Sequence, residues 1–343
     1  MCGGCFAQQT AAAPTSANPA PSKTAVKESP ELAAAEALFA QGKFLDAEAA
    51  ANKLPDSDKY GVAGNLLRGR LALSANQLSV AQGLFAQAQR LDSKNVAVSA
   101  LLGEAYARQQ RWMDAAALYD HGRKNALALQ AQDVAASMPY APFRVDGLGA
   151  LDRIPLVHAR WPAVLGVRVD TGEVVNFAVD LTADQLVIDA AYAKQLGLKT
   201  IVDMDLVIAE ALRPDGSKFD RVTYSTITEF AIGAWVVHDL PVTVRSLSGN
   251  SAGADGLIGA GVLRHFLVTL DVTRGQIWLR RPDDAAAAAA LKQAQGAAVK
   301  AVAVRFTPAG ALVHADGTPL EDELWRQGAV TMDFKSMVLL VGK

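Results

Sequence analysis

Small residues recur at a constant spacing of 34 in the N-terminal part of the chain. Three registers share this spacing, and their members are Ala47, Ala81 and Ala115; Ala35, Gly69 and Gly103; and Ala51, Phe85 and Tyr119. Agreement of three registers on one period is typical of a stacked structural repeat. Two helices cross closely only where their side chains are small. The pattern therefore predicts stacked helix pairs over residues 31–135.

These registers resemble tetratricopeptide repeats. Leu102-Gly103, followed by Tyr106 and Ala115, matches the consensus of that family best, whereas the first repeat is degenerate and the usual inter-repeat proline is absent. The resemblance implies a concave groove that binds a peptide or a partner protein. The alternative is that three repeats form a helical spacer or a dimerisation arm.

A β-rich region begins after two prolines, Pro139 and Pro142, and extends to about residue 282. Apolar runs rich in valine and isoleucine, separated by turn residues, predict short strands there. The predicted strands are Ala163–Val169, Val174–Val179, Leu186–Ile188, Thr226–Ile232, Trp235–Val244 and Phe266–Leu270. One helix, Ala190–Leu196, is predicted to end at Gly197. Short strands with regular turns favour a small closed β-structure, so the fold class is multidomain, all-α and then all-β.

The segment Asp255-Gly256-Leu257-Ile258-Gly259, with the strands that follow it to residue 281, resembles the second half of a retropepsin-like aspartic peptidase of the bacterial single-lobe kind. The resemblance covers about residues 165–281 and implies an all-β acid-protease barrel over 145–282. It also implies that Leu257, Ile258 and Gly259 pass behind a catalytic loop and support it. Gly259 would permit close crossing of two backbones, and Asp255 is expected to be a turn residue.

Two aspartates compete for the catalytic position that the resemblance implies. Asp170-Thr171-Gly172 has the literal Asp-Thr-Gly sequence of the family, but it joins two predicted strands and fits a hairpin turn. Asp180 follows an apolar strand and precedes a short Leu-Val-Ile strand and a helix ending in Leu-Gly-Leu, which is the family order. We therefore assign the family's catalytic position to Asp180, with Asp170 as the alternative.

The loop after Asp180 departs from the family pattern. An aspartic peptidase pairs two aspartates that share a proton, one acting as base on water and the other as acid, and in the single-lobe family each subunit of a homodimer supplies one. Here Leu181 replaces the family's threonine, Thr182 replaces its glycine and Asp184 adds a negative charge. The sequence leaves open an endopeptidase that acts through Asp180, with Thr182 supplying the hydroxyl, and an inactive scaffold that binds partners.

The first 30 residues are rich in Ala, Pro, Ser and Thr without periodicity, which predicts a disordered tether. Both cysteines, Cys2 and Cys5, lie at its start, with no redox-motif or metal-ligand context around them. Gly3-Gly4-Cys5 resembles the end of a bacterial lipobox, and that reading implies lipidation of Cys5, a membrane tether and a place in the cell envelope, periplasmic or outer-membrane. The alternative is a pair of unmodified terminal thiols on a cytoplasmic protein.

Three further segments carry expectations. Asp283-Asp284 followed by an alanine run predicts an N-capped helical linker over 283–300. Strand-like segments over 301–343 form a short β-tail, in which Ala329–Asp333 repeats an apolar strand followed by Asp. This tail is either a remnant second lobe or an extra strand that caps the barrel. Arg213–Ser217 is either the tip of a flap over a cleft or an ordinary surface hairpin.

Charge and residue spacing exclude several classes of function. The chain has 33 basic and 35 acidic residues, so no basic nucleic-acid footprint is expected. Its five histidines are scattered without paired-ligand spacing, and no phosphate-binding glycine loop is present, so we expect no metal and no cofactor. No apolar run approaches the roughly 20 residues that a membrane-spanning helix needs.

Overall fold

The computed structural model describes residues 29–137, 145–146, 152–158, 160–204, 207, 222–247, 253–326 and 328–342. The predicted tether, with Cys2 and Cys5, lies outside these residues, as does Arg213–Ser217. Within them, helices occupy the N-terminal part and a β-barrel region follows, which confirms the coarse order expected from the sequence.

Eight helices form the N-terminal part of the described chain. They are α1 Pro30–Ala40, α2 Phe44–Asn52, α3 Asp56–Lys59, α4 Val62–Ser74, α5 Leu78–Leu91, α6 Val96–Arg108, α7 Trp112–His121 and α8 Asn125–Ser137. The second helix of each pair begins 34 residues after its predecessor, at Phe44, Leu78 and Trp112. Side-chain caps begin helices α1 and α6. The Ser29 hydroxyl accepts from the Leu32 amide, and the Asn95 side chain accepts from the Val98 amide.

The residues of the three 34-residue registers lie where paired helices cross. Ala47, Ala81 and Ala115 are fully buried. A Cβ on Gly69 would overlap the ring of Phe85, and one on Gly103 would lie 3.0 Å from the ring of Tyr119. The glycines therefore leave room for the bulky residue of the facing helix, as the sequence pattern requires.

Fifteen strands and three further helices form the rest of the described chain. The strands are β1 Val145–Asp146, β2 Asp152–His158, β3 Val164–Val169, β4 Val174–Val179, β5 Leu186–Asp189, β6 Ile201–Val202, β7 Thr223–Ile232, β8 Trp235–Arg245, β9 Gly256–Ile258, β10 Leu267–Asp271, β11 Gln276–Arg280, β12 Ala298–Phe306, β13 Leu312–His314, β14 Ala329–Asp333 and β15 Val338–Gly342. The helices are α9 Ala190–Gln195, α10 Ala260–Leu263 and α11 Ala285–Ala297, and Asp322–Trp325 forms one 3₁₀ turn. Asp284 takes the N-cap position of α11 without a side-chain capping bond.

Six of these strands close into a barrel. The ring runs β3-β4-β9-β5-β8-β7, and pairing of β7 with β3 completes it. Large apolar side chains fill the interior, among them Phe177, Phe230 and Ile188, none of which is exposed. Gly197, at φ +68°, ends α9 after the predicted helix and turns the chain towards β6.

A second sheet, which shares β3 with the barrel, has an approximate two-fold relation across the pair β10 and β14. The order is β13-β12-β15-β14 on one side and β10-β11-β2-β3 on the other. Val268 pairs with Met332 and Leu270 with Val330, and the axis passes through Thr269 and Thr331, whose hydroxyls lie 3.0 Å apart. Residues 298–342 therefore continue the same sheet as residues 267–280.

The two hairpins related by this axis share their local chemistry. The Asp271 carboxylate accepts from the Arg274 amide, and the Asp333 carboxylate accepts from the Ser336 amide three residues on. Both aspartates are buried at the end of their strands. The segment Ala329–Asp333 thus corresponds to Leu267–Asp271 rather than to the strand that leads into Asp180.

The helical part packs directly on the β-region. The buried Gln130 amide donates to the Ser225 and Val242 carbonyls at 2.7 and 2.9 Å. An ion pair of 2.9 Å joins Arg305 of β12 to Glu48 of α2. These bonds lie at both ends of the helical stack, so the stack lies along the β-region over most of its length.

Candidate functional site

Asp180 lies at the end of β4, where the strand leaves the barrel wall. It is half-buried, and its Oδ1 accepts two bonds from Thr182, one from the amide at 2.8 Å and one from the hydroxyl at 2.6 Å. Leu181 between them is buried in the barrel core. The loop therefore closes on itself through the Thr182 side chain.

The segment that the sequence placed behind this loop runs between the two strands that flank it. β9, which contains Leu257 and Ile258, pairs parallel to β4 and antiparallel to β5. The Asp180 amide donates to the Ile258 carbonyl at 3.1 Å, and the Ala260 amide donates to the Ala183 carbonyl at 2.9 Å. Residues 256–260 thus hold both ends of the loop through backbone bonds.

Gly259 occupies the tightest part of this crossing. A Cβ at this position would lie 2.6 Å from the Ala183 carbonyl oxygen and would overlap the Gln185 carbonyl oxygen. Both obstacles are backbone atoms, which cannot rotate away as a side chain can. A side chain at this position is therefore incompatible with the observed loop.

Asp170 lies in the turn between β3 and β4, away from β9. Its Oδ1 accepts from the Thr228 and Glu229 amides at 2.8 and 2.9 Å. The residue has a φ of +49°, and the Gly172 amide donates to the Val169 carbonyl to close the turn. Asp170 therefore joins the β3–β4 turn to β7, and the structure does not bring it together with Asp180.

The C-terminal strands cover the other side of the Asp180 loop. The Leu312 amide donates to the Leu181 carbonyl at 2.7 Å. A Cβ on Gly310 would overlap the side chain of Asp184, so the β12–β13 turn lies directly against that residue. Sequence reasoning did not identify this contact, because nothing in residues 307–312 marks them as neighbours of a loop more than 120 positions earlier.

A cleft of about 520 Å³ lies between the loop and the helical stack. Thr182, Tyr224 and Thr243 contribute to its β-side, and Glu104 and Lys124 contribute to its helical side. Asp180 is not among the described residues that line it. The base of the predicted flap reaches the cleft through Tyr224, while the flap tip falls outside the described residues.

A smaller cavity of about 60 Å³ continues from this cleft into the interface. Arg108 of α6 and Arg264 after α10 line it together with Asp184. Sequence reasoning did not identify Arg108, although a signal exists: the 34-residue register aligns Arg108 with the buried Ser74 of the preceding repeat. A charged residue at a position that the repeat buries indicates a special contact.

His265, in the wall of this cavity, predicts a specific acid sensitivity. Burial and then the Arg264 charge lower the pKa of His265 to about 3 from 6.5. His265 therefore binds a proton below pH 6.5 in the unfolded chain but only below about pH 3 in the folded chain. The stability that depends on the neutral ring is complete above pH 6.5 and is lost as the pH falls through this window, at up to about 1.4 kcal/mol per pH unit.

Urea unfolding over a pH series measures this loss. His265→Gln is expected to flatten the decline of the free energy of unfolding below pH 6.5, whereas His158→Gln, which changes an exposed histidine, is expected to leave it unchanged. An identical decline in the wild type and in His265→Gln would contradict the assignment.

No family model matches the chain, and no curated protein matches it. Among solved structures, the chain is similar to a crystal structure of a retropepsin-like aspartic protease from Rickettsia conorii, with 15% identity and a TM-score of 0.27. The match covers 41% of this chain and 96% of that chain. At that TM-score the likeness establishes neither the fold family nor an activity.

Within the described ranges, no group of three or more His, Cys, Asp or Glu side chains is arranged to hold a metal ion. No helix in the same ranges is long and apolar enough to cross a membrane.

Proposed function

We propose that this chain is a non-catalytic binding protein, in which a retropepsin-like β-domain and a tetratricopeptide-like helical stack hold an extended peptide between them. The single observation that carries the proposal is the state of the Asp180 loop. Its carboxylate is bonded by Thr182 of the same loop, and the Leu181 carbonyl is bonded by Leu312 of the same chain.

Aspartic peptidase chemistry needs a second carboxylate beside the first. The segment that approaches Leu181 is Thr307 to Leu312, and it contains no acidic residue. A second copy of the chain would need to bring its own Asp180 to the surface that this segment already covers. The two-fold sheet also argues against a second copy of the chain beside this loop. The chain itself supplies the strands on both sides of the axis between Thr269 and Thr331.

The cleft supports binding rather than cleavage. A volume of about 520 Å³ lies within the range of ligand-binding clefts, and the helical wall adds apolar side chains, Ala100, Leu101 and Leu127, to the charged Glu104 and Lys124. The surface of the helical stack that faces the β-region therefore forms one wall of the cleft. An extended peptide in the cleft would contact both domains and would lie beside Thr182 rather than on Asp180.

A second candidate is an aspartic endopeptidase that acts through Asp180. The passage of β9 between β4 and β5 favours it, because this crossing supports the loop where the family resemblance requires support. The Thr182 hydroxyl that contacts Asp180 also supplies a hydroxyl beside the carboxylate.

Labelled unfolded casein separates the two candidates in one assay, because anisotropy reports binding and release of small fragments reports cleavage. From acidic to neutral pH, the wild type is expected to bind casein and to leave it intact. Ala309→Trp, which fills the cleft from the β12–β13 turn, should weaken binding at least tenfold, whereas Val299→Trp, at an exposed position of strand β12, should not.

Two outcomes would count against the proposal. Cleavage that Asp180→Asn abolishes and Asp170→Asn does not would establish the endopeptidase. Equal binding by the wild type and Ala309→Trp would place the binding surface outside the cleft.

A further inference from the structure

The cavity between the domains contains buried polar atoms without partners. The Nε and Nη1 atoms of Arg108 and of Arg264 are buried and make no hydrogen bond. Two acceptors in the same cavity, Asp184 Oδ1 and Gln185 Oε1, are likewise buried and unpaired. Buried polar groups in folded proteins are almost always bonded, so six such atoms in one cavity require partners there, supplied by water or by a ligand.

The pairing of Arg108 leaves most of its donors free for such a ligand. Arg108 is 7% exposed, and its Nη2 bonds Glu104 at 2.6 Å. This pair does not use Nε or Nη1. Burial lowers the pKa of the Arg264 guanidinium to about 10, and the nearby Asp184 carboxylate compensates this effect only in part. An anion placed between the two arginines would supply that compensation and bond their free N–H groups.

The size and the charge of the cavity restrict the ligand. A volume of about 60 Å³ is equivalent to only a few water molecules, at roughly 10–15 Å³ each, so a compact planar group fits better than a large anion. Glu104, Tyr119 and Leu127 line both the cavity and the cleft, so the two are adjacent. Among the described residues, two arginines and two carboxylates, Glu104 and Asp184, line the cavity, and Lys124 and Arg245 add two basic side chains in the adjacent cleft, so the free guanidinium N–H groups rather than a net charge of the cavity favour an anionic group.

We propose that the cavity binds the C-terminal residue of a peptide. Its carboxylate bonds Arg108 and Arg264, and its amide N–H bonds Asp184 Oδ1 or Gln185 Oε1. A carboxylate alone would leave both acceptors unpaired, whereas a terminal peptide group provides an acceptor pair and a donor side by side. The idea that the rest of the peptide lies in the cleft rests on the proposed function, but the terminal-carboxylate site itself does not.

Small probes test the site without any protein ligand. N-acetylglycine carries the carboxylate and the amide N–H, and N-acetylglycinamide has the same shape without the charge. At equal ionic strength, we expect N-acetylglycine to raise the Tm of the full chain by a few degrees and N-acetylglycinamide to leave it unchanged, because a ligand that binds only the folded state stabilises it. Acetate, which lacks the N–H, should act more weakly.

Arg264→Gln is expected to abolish the response to N-acetylglycine. Arg280→Gln is the matched control, because Arg280 is another partly buried arginine with an unpaired Nη1, but it lines a different pocket. If Arg264→Gln does not fold, Leu127→Trp narrows the passage between cavity and cleft without changing a charge and should give the same loss.

Several results would overturn the proposal: no stabilisation of the wild type, equal stabilisation by both glycine derivatives, or a response that persists in both Arg264→Gln and Leu127→Trp. The casein assay is independent of this one, since the glycine derivatives contain no unfolded protein. Failure of casein binding together with a selective N-acetylglycine response would reject the proposed function and retain the carboxylate site.

Discussion

Gly259→Ala is expected to lower the free energy of unfolding by roughly 3 kcal/mol or more. The added methyl group would lie 2.6 Å from the Ala183 carbonyl and still closer to the Gln185 carbonyl. Relief requires either the loop or β9 to move, and both are fixed by the Asp180–Ile258 and Ala260–Ala183 backbone bonds. Urea unfolding monitored by circular dichroism measures the loss.

The backbone conformation of Gly259 makes the cause of this loss testable. Its φ of −78° and ψ of 167° are accessible to alanine, so the expected cost is steric and not conformational. Gly296→Ala is the matched control, because Gly296 lies in helix α11 and its Cβ would meet no atom within 4 Å. That change should stabilise the chain by about 0.5–1 kcal/mol. A small loss at Gly259 would show that the loop is not tightly crossed.

Local sequence patterns predicted those strands and helices whose limits depend only on neighbouring residues in the chain. Strand β4 was predicted residue for residue, because the turn at Asp170-Thr171-Gly172 marks its start and an apolar run ends at Asp180. The 34-residue spacing predicted the helix pairs for a similar reason, since each crossing needs a small residue at a fixed position.

Contacts between distant parts of the chain were not predictable in this way. The Arg108–Arg264 cavity joins a helix to a loop more than 150 residues later, and neither residue has a local feature that names the other. The pairing of β10 with β14 had a visible signal, because Val268-Thr269-Leu270-Asp271 and Val330-Thr331-Met332-Asp333 are similar. Ala329–Asp333 was instead compared with the strand before Asp180, and these two segments share only an apolar run followed by an aspartate.

Phe177→Ala is expected to destabilise the chain by about 3–5 kcal/mol, because it removes a fully buried ring and leaves a cavity. Phe177 lies on β4, three residues before Asp180, and its ring packs against Phe230 across the barrel at 5.7 Å between centroids. The same ring fills the space beneath Gly256 of β9. Its loss therefore weakens the barrel core and the support of the Asp180 loop together.

Val174→Ala on the same strand separates core packing from strand propensity. Val174 is 72% exposed, so its truncation should change the free energy of unfolding by no more than about 0.5 kcal/mol. Hydrogen exchange gives a second readout, since the Asp180 amide bonded to Ile258 should lose protection in Phe177→Ala and keep it in Val174→Ala. Equal effects of the two changes would mean that β4 is held by its hydrogen bonds alone. A large loss confined to Phe177→Ala would place the support of the loop in the ring beneath Gly256.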